Sequence, residues 1–155
     1  MKSIIQIHLE YEKDVIRDIE INSASTLEEL HYAIINSIGL EGNELASFYT
    51  TNSELETLQE IPLFNINKQE ELTEMKNIII SSIFKNQGDE LIYIYDFMKL
   101  WRFLVTLKKE EKISPSKVKC INIIGEMPKN APKILFEKEE TDTFQDEFDE
   151  FKRYE

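Results

Sequence analysis

The sequence predicts an α+β fold: two β-hairpins form a mostly antiparallel sheet, one main helix packs on a face of it, and an acidic C-terminal tail follows. Three observations predict this fold. Two stretches have the period of a strand, one stretch between them has the period of a helix, and acidic residues are concentrated after residue 136. A chain of 155 residues with 41% hydrophobic residues can fill one core. We therefore expect a single α+β domain over residues 1–136 and a tail over 137–155 that can form a short amphipathic helix.

The first hairpin and the main helix are expected near the amino terminus. Apolar and polar residues alternate from Ile5 to Tyr11 and again from Val15 to Ile21, with a polar turn between the two runs. A helix should begin after Ser25 or Thr26, each followed three residues later by a glutamate for a capping box, and end at Gly39. Its apolar stripe should cover the hairpin, because neither element can bury its apolar face alone.

The second half of the domain has weaker patterns before a second hairpin. Residues 45–49 and 61–66 are compatible with strands, although Pro62 interrupts the second. The spacing of apolar residues from Leu72 to Ile83 indicates a shorter helix, while the triple isoleucine in it also permits a strand. Residues 91–97 and 101–107 are rich in β-branched and aromatic side chains and predict the second hairpin.

Charge and cysteine content limit the class of partner and compartment. The chain has 18 Lys and Arg against 30 Asp and Glu, a net charge of −12. Such an excess repels phosphate backbones and anionic lipids and attracts basic proteins, so direct nucleic-acid binding is unlikely and no membrane association is expected. The single cysteine, Cys120, rules out an intramolecular disulfide and favours a reducing compartment, so a cytoplasmic protein is expected. The oligomeric state stays open.

The acidic tail carries a helical aromatic stripe. Residues 137–155 contain nine acids and three bases, a net charge of −6. Phe144, Phe148 and Phe151 recur at spacings of four and three, so a helix would place all three on one face and carboxylates on the other. This pattern is typical of a segment that folds into a partner's hydrophobic groove. Docking of the stripe on its own domain is the alternative.

No catalytic residue, metal site or cofactor is expected. One cysteine and two scattered histidines cannot supply the ligands of a zinc site, and four glycines leave little room for a phosphate-binding loop. His31 is interpreted as a packing histidine, Cys120 as a structural thiol and Trp101 as a core residue. Asp96 interrupts an apolar run, and we interpret it as opening a turn through a side-chain hydrogen bond. Whether the protein is an enzyme is left open, with the balance against it.

Three stretches of the chain resemble one known family. They are residues 26–39, residues 91–97 followed by Trp101, and the segment from Lys119-Cys120 through Gly125-Glu126 to Pro128. They are similar to the leucine-histidine helix, the aromatic-rich strand and the cysteine-then-glycine-proline segment of the plasmid Ri ORF-3-like family, whose members are also described as insertion-element passenger proteins. The resemblance spans residues 4–132. It implies an α+β fold without an assigned activity, and it is densest around a candidate ligand site formed by His31, Tyr95, Asp96 and Trp101.

One departure from the family pattern falls beside this site. The family commonly places a glycine and paired acids after its aspartate-phenylalanine step, whereas here Met98, Lys99 and Leu100 occupy the turn. If those polar groups form a site in relatives, this chain lacks it.

The sequence supports three hypotheses about function. The leading hypothesis is a non-catalytic interaction module that binds a basic protein partner through its acidic surface and the tail phenylalanines. The second is a small-ligand-binding protein or enzyme with its site near Tyr95, Asp96 and Trp101. The third, implied by the resemblance alone, is an accessory protein of a mobile element or nucleic-acid machine.

Overall fold

The computed structural model describes residues 1–66, 69–113 and 117–132. These residues form seven strands, one helix of three turns and two short helical turns. The strands are β1 (Lys2–Leu9), β2 (Ile16–Asn22), β3 (Ala46–Thr50), β4 (Glu60–Pro62), β5 (Glu90–Tyr95), β6 (Trp101–Glu111) and β7 (Lys119–Ile124). The helices are α1 (Leu27–Ile38) and α2 (Ile80–Ile83), with a 3₁₀ turn at Met75–Asn77.

All seven strands belong to one antiparallel sheet in the order β4-β3-β5-β6-β1-β2-β7. The predicted fold class, an α+β domain whose sheet consists of two β-hairpins, is therefore wrong. The two hairpins do form, but β1 pairs with β6 and joins them, and β3, β4 and β7 extend the sheet on both sides. The acidic tail of that prediction lies outside the described residues.

The strands outside the two hairpins have weak sequence patterns for physical reasons. β3 has three consecutive buried residues and therefore no alternation, and β4 has three residues, too few to show a period of two. β7 lies at an edge, and five of its six residues are exposed, so its two faces do not differ in polarity. The helix predicted from Leu72 to Ile83 is also wrong in extent, because Ile79 adopts extended backbone and bridges Thr26, which splits the segment into two short turns.

The main helix packs on one face of the sheet, here called the inner face. Thr26 and Glu29 form the capping box, with the Glu29 N–H donating to Thr26 Oγ1 at 3.2 Å, and Gly39 ends the helix with φ +77°. The apolar residues of α1 meet inward-pointing residues of the central strands to form the core. Its fully enclosed large side chains include Ile5, Ile7, Leu9, Ile19, Ile21, Leu27, Leu30, Ile34, Phe48, Phe84, Tyr93 and Phe103.

Candidate functional site

Three of the four residues predicted for a ligand site line one cleft. Tyr95 ends β5, Asp96 begins the following turn, and Trp101 begins β6. The loop after α1, residues 39–44, forms the facing wall, and the cleft has a volume of about 320 Å³. We call it the turn cleft.

Asp96 holds the turn that shapes this cleft. Its Oδ1 accepts hydrogen bonds from the backbone N–H groups of Met98 at 3.0 Å and Lys99 at 3.3 Å. Its own N–H donates to the Leu45 carbonyl oxygen at 2.9 Å, and its φ is +62°, a conformation that aspartate tolerates better than most residues. The carboxylate oxygen Oδ1 thus accepts hydrogen bonds from the backbone of the turn, as expected for an aspartate that opens a turn.

Tyr95 connects the turn to the loop after the helix. Its hydroxyl oxygen accepts a hydrogen bond from the Gly42 N–H at 3.0 Å, and the hydroxyl donates to Asn43 Oδ1 at 3.5 Å. Trp101 is 6% exposed, so most of its ring packs in the core. These contacts fix both walls of the turn cleft relative to each other.

The turn cleft contains charges of both signs. Glu41 and Glu44 lie on the helix-loop side, and Lys99 and Lys129 complete the lining. None of the ten lining residues is a histidine, cysteine or serine. The chemistry of the cleft suits hydrogen bonding and ion pairing with a small polar molecule.

His31 lies away from this cleft, on the side of α1 that faces the core. Its Nδ1 is 2.7 Å from the Tyr93 hydroxyl oxygen in a hydrogen bond, and both residues are fully buried. Its Nε2 has no hydrogen-bond partner among the described residues. Burial lowers the pKa of His31 to about 4 and raises the pKa of Tyr93 well above its ordinary value. Both side chains are therefore neutral near pH 7, and His31 does not join Tyr95, Asp96 and Trp101.

A second cleft lies between α1 and the edge strand β7. Its lining on the helix side includes Glu29, Tyr32 and Asn36, and its lining on the strand side includes Val118 and Cys120. The volume of this cleft is about 480 Å³. Tyr32 is 45% exposed. The Cys120 thiol donates to the Asn122 carbonyl oxygen at 3.4 Å. We call this the edge cleft; the sequence did not predict it, because β7 was not assigned to the sheet.

A third feature is a concentration of acids in the segment from residue 41 to residue 74, which contains β3 and β4. Residues 41–74 contain eight acids and one base, Lys68, a net charge of −7. The acids are Glu41, Glu44, Glu54, Glu56, Glu60, Glu70, Glu71 and Glu74. Within the described chain, Glu74 is the one member with an ion pair, to Lys76 at 3.6 Å. We call these eight residues the acidic edge; a windowed count of charge would have found them.

The described residues also bear on metals and membranes. They contain no group of three or more histidine, cysteine or acidic side chains placed to hold a metal ion. None of their helices has the length and apolar character needed to cross a membrane.

A family model for the plasmid pRiA4b ORF-3-like protein matches residues 3–135. The chain belongs to this family. The match includes the turn cleft, the edge cleft and the acidic edge, and it ends before the predicted phenylalanine stripe. Phe144, Phe148 and Phe151 also lie outside the described residues, so the stripe stays a prediction.

A solved structure similar to this family member supports the fold. The crystal structure of a protein of unknown function from Methanosarcina mazei Go1 has a TM-score of 0.67 and 20% sequence identity. The alignment covers 93% of this chain and 81% of that chain. No curated protein matches the chain. Neither the family description nor this neighbour assigns a biochemical activity.

Proposed function

We propose that this family member is a non-catalytic interaction module that binds a basic protein partner through its acidic edge, together with its acidic tail. The observation that supports it is the density of carboxylates in residues 41–74, almost all of them without an ion pair in the described chain. Unpaired surface carboxylates produce a negative potential that raises the association rate of basic proteins and decays over about 8 Å at physiological salt.

Apolar side chains lie among these acids. Leu55, Leu58, Phe64 and Ile66 are 40%, 55%, 52% and 68% exposed. A surface that mixes carboxylates with exposed apolar groups suits a partner segment with lysine or arginine on one side and apolar residues on the other. The phenylalanines predicted for the tail would add the same chemistry at a second place.

The proposal is tested with four forms of the full chain in pull-downs from its native cells. The first is the wild type, and the second replaces Glu41, Glu44, Glu54 and Glu56 with glutamine, which removes charge at constant size. The third, a matched control, makes the same replacement at Glu12, Glu28, Glu110 and Glu126. The fourth ends at Phe136. Bound proteins are identified by mass spectrometry and their affinities remeasured with purified components at low and high salt.

The outcomes separate the two acidic elements. The proposal is supported by a basic protein that co-purifies with the wild type and the control but has an affinity for the acidic-edge variant at least about tenfold lower. A tenfold change in affinity is about 1.4 kcal/mol. If the truncated form also fails to bind this protein, the tail contributes to the contact. If no basic protein is depleted from either variant, the proposal is wrong.

The turn cleft supports a second candidate, binding of a small polar molecule. It brings Tyr95, Asp96 and Trp101 together with two glutamates and two lysines in one concave site. Because Trp101 is the single tryptophan of the chain and lines this cleft, a change in its fluorescence can report binding there. A saturable change on titration with a small acid, amine or nucleotide, lost in a Lys99→Met/Lys129→Met variant, would support this candidate. Unchanged fluorescence across such a panel would count against it.

A further inference from the structure

One carboxylate oxygen in the turn cleft is available to a ligand. Asp96 is 7% exposed, and its Oδ1 accepts the two backbone hydrogen bonds that hold the turn. Its other oxygen, Oδ2, accepts no hydrogen bond from the described residues, yet it is not among their fully enclosed unsatisfied atoms. A carboxylate oxygen at this depth has little contact with bulk water and needs a donor. Because Asp96 lines the cleft, a molecule inside the cleft can supply that donor.

Four further charges line the cleft without forming ion pairs. They are Glu41, Glu44, Lys99 and Lys129, all of them exposed. Within the described chain, none of the four has an oppositely charged group within 4.0 Å, although both signs share a cleft of about 320 Å³. A ligand that carries both signs can bridge opposite charges that are held apart in this way.

We propose that the turn cleft binds a free amino acid and favours one with a basic side chain. The ammonium group of the ligand donates to Asp96 Oδ2, and its carboxylate pairs with Lys99 and Lys129. This inference rests on the second candidate of the proposed function, binding of a small polar molecule, and names the chemical class of that molecule. It does not depend on a basic protein partner.

The charges of the cleft disfavour other classes of ligand. Three carboxylates and two lysine ammonium groups line it, a net charge of −1. A nucleotide or a dicarboxylic acid would bring two or more negative charges to the three carboxylates, and a polyamine would bring several positive charges to the two lysines. Like charges placed together weaken binding strongly. An amino acid is small and has one charge of each sign, so each charge can have its own partner.

The excess of acid predicts which amino acids bind best. After the ammonium group has taken Asp96, Glu41 and Glu44 remain on the helix-loop side of the cleft. The cationic side chain of arginine, lysine or ornithine can pair with these two carboxylates, whereas the side chain of glutamate would be repelled by them. Exposed ion pairs are weak, so this contact ranks the amino acids without deciding the class of ligand.

The cleft also has the size and the preformed shape that such a ligand requires. Its volume of about 320 Å³ lies at the lower end of the range for small-molecule sites. The turn fixes the Asp96 carboxylate, and the hydrogen bond from the Gly42 N–H to the Tyr95 hydroxyl oxygen, at 3.0 Å, fixes the facing loop. A site that is already ordered loses little affinity to the cost of ordering its side chains.

The first experiment titrates the purified full chain with small molecules by isothermal calorimetry. Arginine, alanine and glutamate test the ranking, and succinate, adenosine monophosphate and spermidine represent the disfavoured classes. We expect saturable binding of arginine, weaker binding of alanine and the weakest binding of glutamate. Arginine amide and N-acetylarginine each lack one charge of the zwitterion. Their affinities should be lower than that of arginine by at least about fivefold and about tenfold.

The second experiment tests Asp96 as the ligand of the ammonium group. In Asp96→Asn the side chain keeps an oxygen for the two N–H groups of the turn, and asparagine tolerates the φ of +62°, so the turn is retained. The amide group has one fewer acceptor oxygen and no negative charge. We expect arginine to bind this variant at least about tenfold more weakly.

Asp89→Asn is the matched control for this variant. Asp89 Oδ2 also accepts two backbone hydrogen bonds in a turn, from the N–H groups of Lys85 and Asn86 at 2.9 Å each. Asp89 does not line the turn cleft. The control should bind arginine within about twofold of the wild type, because charges distant from the ligand are screened by salt. Circular dichroism checks that both variants are folded.

The third experiment tests the two lysines as partners of the ligand's carboxylate. Lys99→Gln/Lys129→Gln should weaken arginine binding by at least about fivefold but should change the binding of arginine amide little, because the amide has no carboxylate to lose a partner. Lys13→Gln/Lys108→Gln is the control. It removes the same charge from two exposed lysines outside the cleft and should leave both affinities unchanged.

The outcomes distinguish this inference from the proposals on which it builds. If arginine does not bind but succinate or the nucleotide does, the inference is wrong while small-molecule binding stands. If nothing in the panel binds, both are wrong, and the pull-downs still decide the basic-protein proposal. Equal affinities of arginine for the wild type and Asp96→Asn overturn the inference. Binding of N-acetylarginine amide as tight as that of arginine also overturns it, because the cleft then takes an arginine side chain of a protein.

Discussion

Arg17 donates a hydrogen bond from its Nε to the carbonyl oxygen of Ser37 at 3.1 Å, which joins the second strand to the last turn of α1. Its Nη1 also donates to the carbonyl oxygens of Ile16 at 2.8 Å and Ile124 at 3.0 Å. The side chain is 7% exposed. The carbonyl oxygens at a helix end lack partners within the helix and carry partial negative charge, so one guanidinium satisfies the end of α1 and the end of β7 together.

Arg17→Met should therefore destabilise the protein and loosen β7. Methionine keeps much of the apolar stem but leaves three carbonyl oxygens without this donor, so we expect a loss of about 3 kcal/mol in the free energy of unfolding, measured by urea denaturation. Amide exchange should rise most in β7. The control is Arg102→Met, which breaks a partly exposed ion pair with Glu10 and an exposed hydrogen bond to the Leu55 carbonyl oxygen, and should cost about 1 kcal/mol. Equal losses for the two variants would contradict this role of Arg17.

Gly125→Ala should displace the end of β7. A Cβ at Gly125, whose φ is +77°, would collide with the carbonyl oxygen of Asp14 in the β1–β2 turn. We expect a loss of about 1–3 kcal/mol from overpacking, in addition to the backbone cost, and faster amide exchange in residues 119–124.

Gly88→Ala separates the two causes of that loss. Gly88 also has positive φ, at +94°, but a Cβ there meets no atom within 4 Å. Its replacement should show the backbone cost of about 1 kcal/mol alone and leave β7 exchange unchanged. If the two alanine variants behave alike, the contact with Asp14 is not important.

Local elements could be predicted from the sequence, whereas their arrangement in the sheet could not. Thr26, Glu29 and Gly39 specify both ends of α1 through contacts within a few residues, and the structure has that helix. The pairing of β1 with β6 depends on residues about 100 positions apart, and alternation says which face is buried but not which strand lies beside it. β7 was missed because its apolar residues are exposed on both faces.

In the candidate site, too, contacts within a short segment could be predicted and contacts between distant segments could not. Tyr95, Asp96 and Trp101 meet in one cleft because a tight turn holds them within seven residues of each other. His31 was grouped with them, yet α1 presents it to Tyr93 in the middle of β5, and no local pattern specifies where along a strand a helix packs. The edge cleft required knowledge of β7 and so lay beyond sequence reasoning.

Leu100→Gly should stabilise the protein. Leu100 has φ +59°, in the left-handed region that costs about 1–2 kcal/mol for a residue with a Cβ. Glycine removes that cost at the expense of some unfolded-state entropy and part of a half-buried side chain, so we expect a gain of about 1 kcal/mol. Met98→Gly in the same turn has no positive φ to relieve and should lose stability. Thermal and urea denaturation of both variants check the sign, and a loss in Leu100→Gly would show that its side chain contributes more than the backbone costs.

Stability should fall as the pH is lowered from about 6.5 to about 4 because of His31. In the unfolded chain its pKa is near 6.5, while burial lowers it to about 4 in the folded protein, so between these values the unfolded state binds more protons. Protonation then favours unfolding, and the free energy of unfolding is lower by about 3 kcal/mol once the pH is below about 4.

The measurement is the free energy of unfolding at several pH values, for the wild type and for the double variant His31→Leu/Tyr93→Phe. Replacing both partners leaves no buried polar atom of the pair unsatisfied, so the double variant should be near neutral in stability at pH 7. It should also lose about 3 kcal/mol less than the wild type on acidification, and identical pH profiles would show that the pKa of His31 is not lowered in the folded protein.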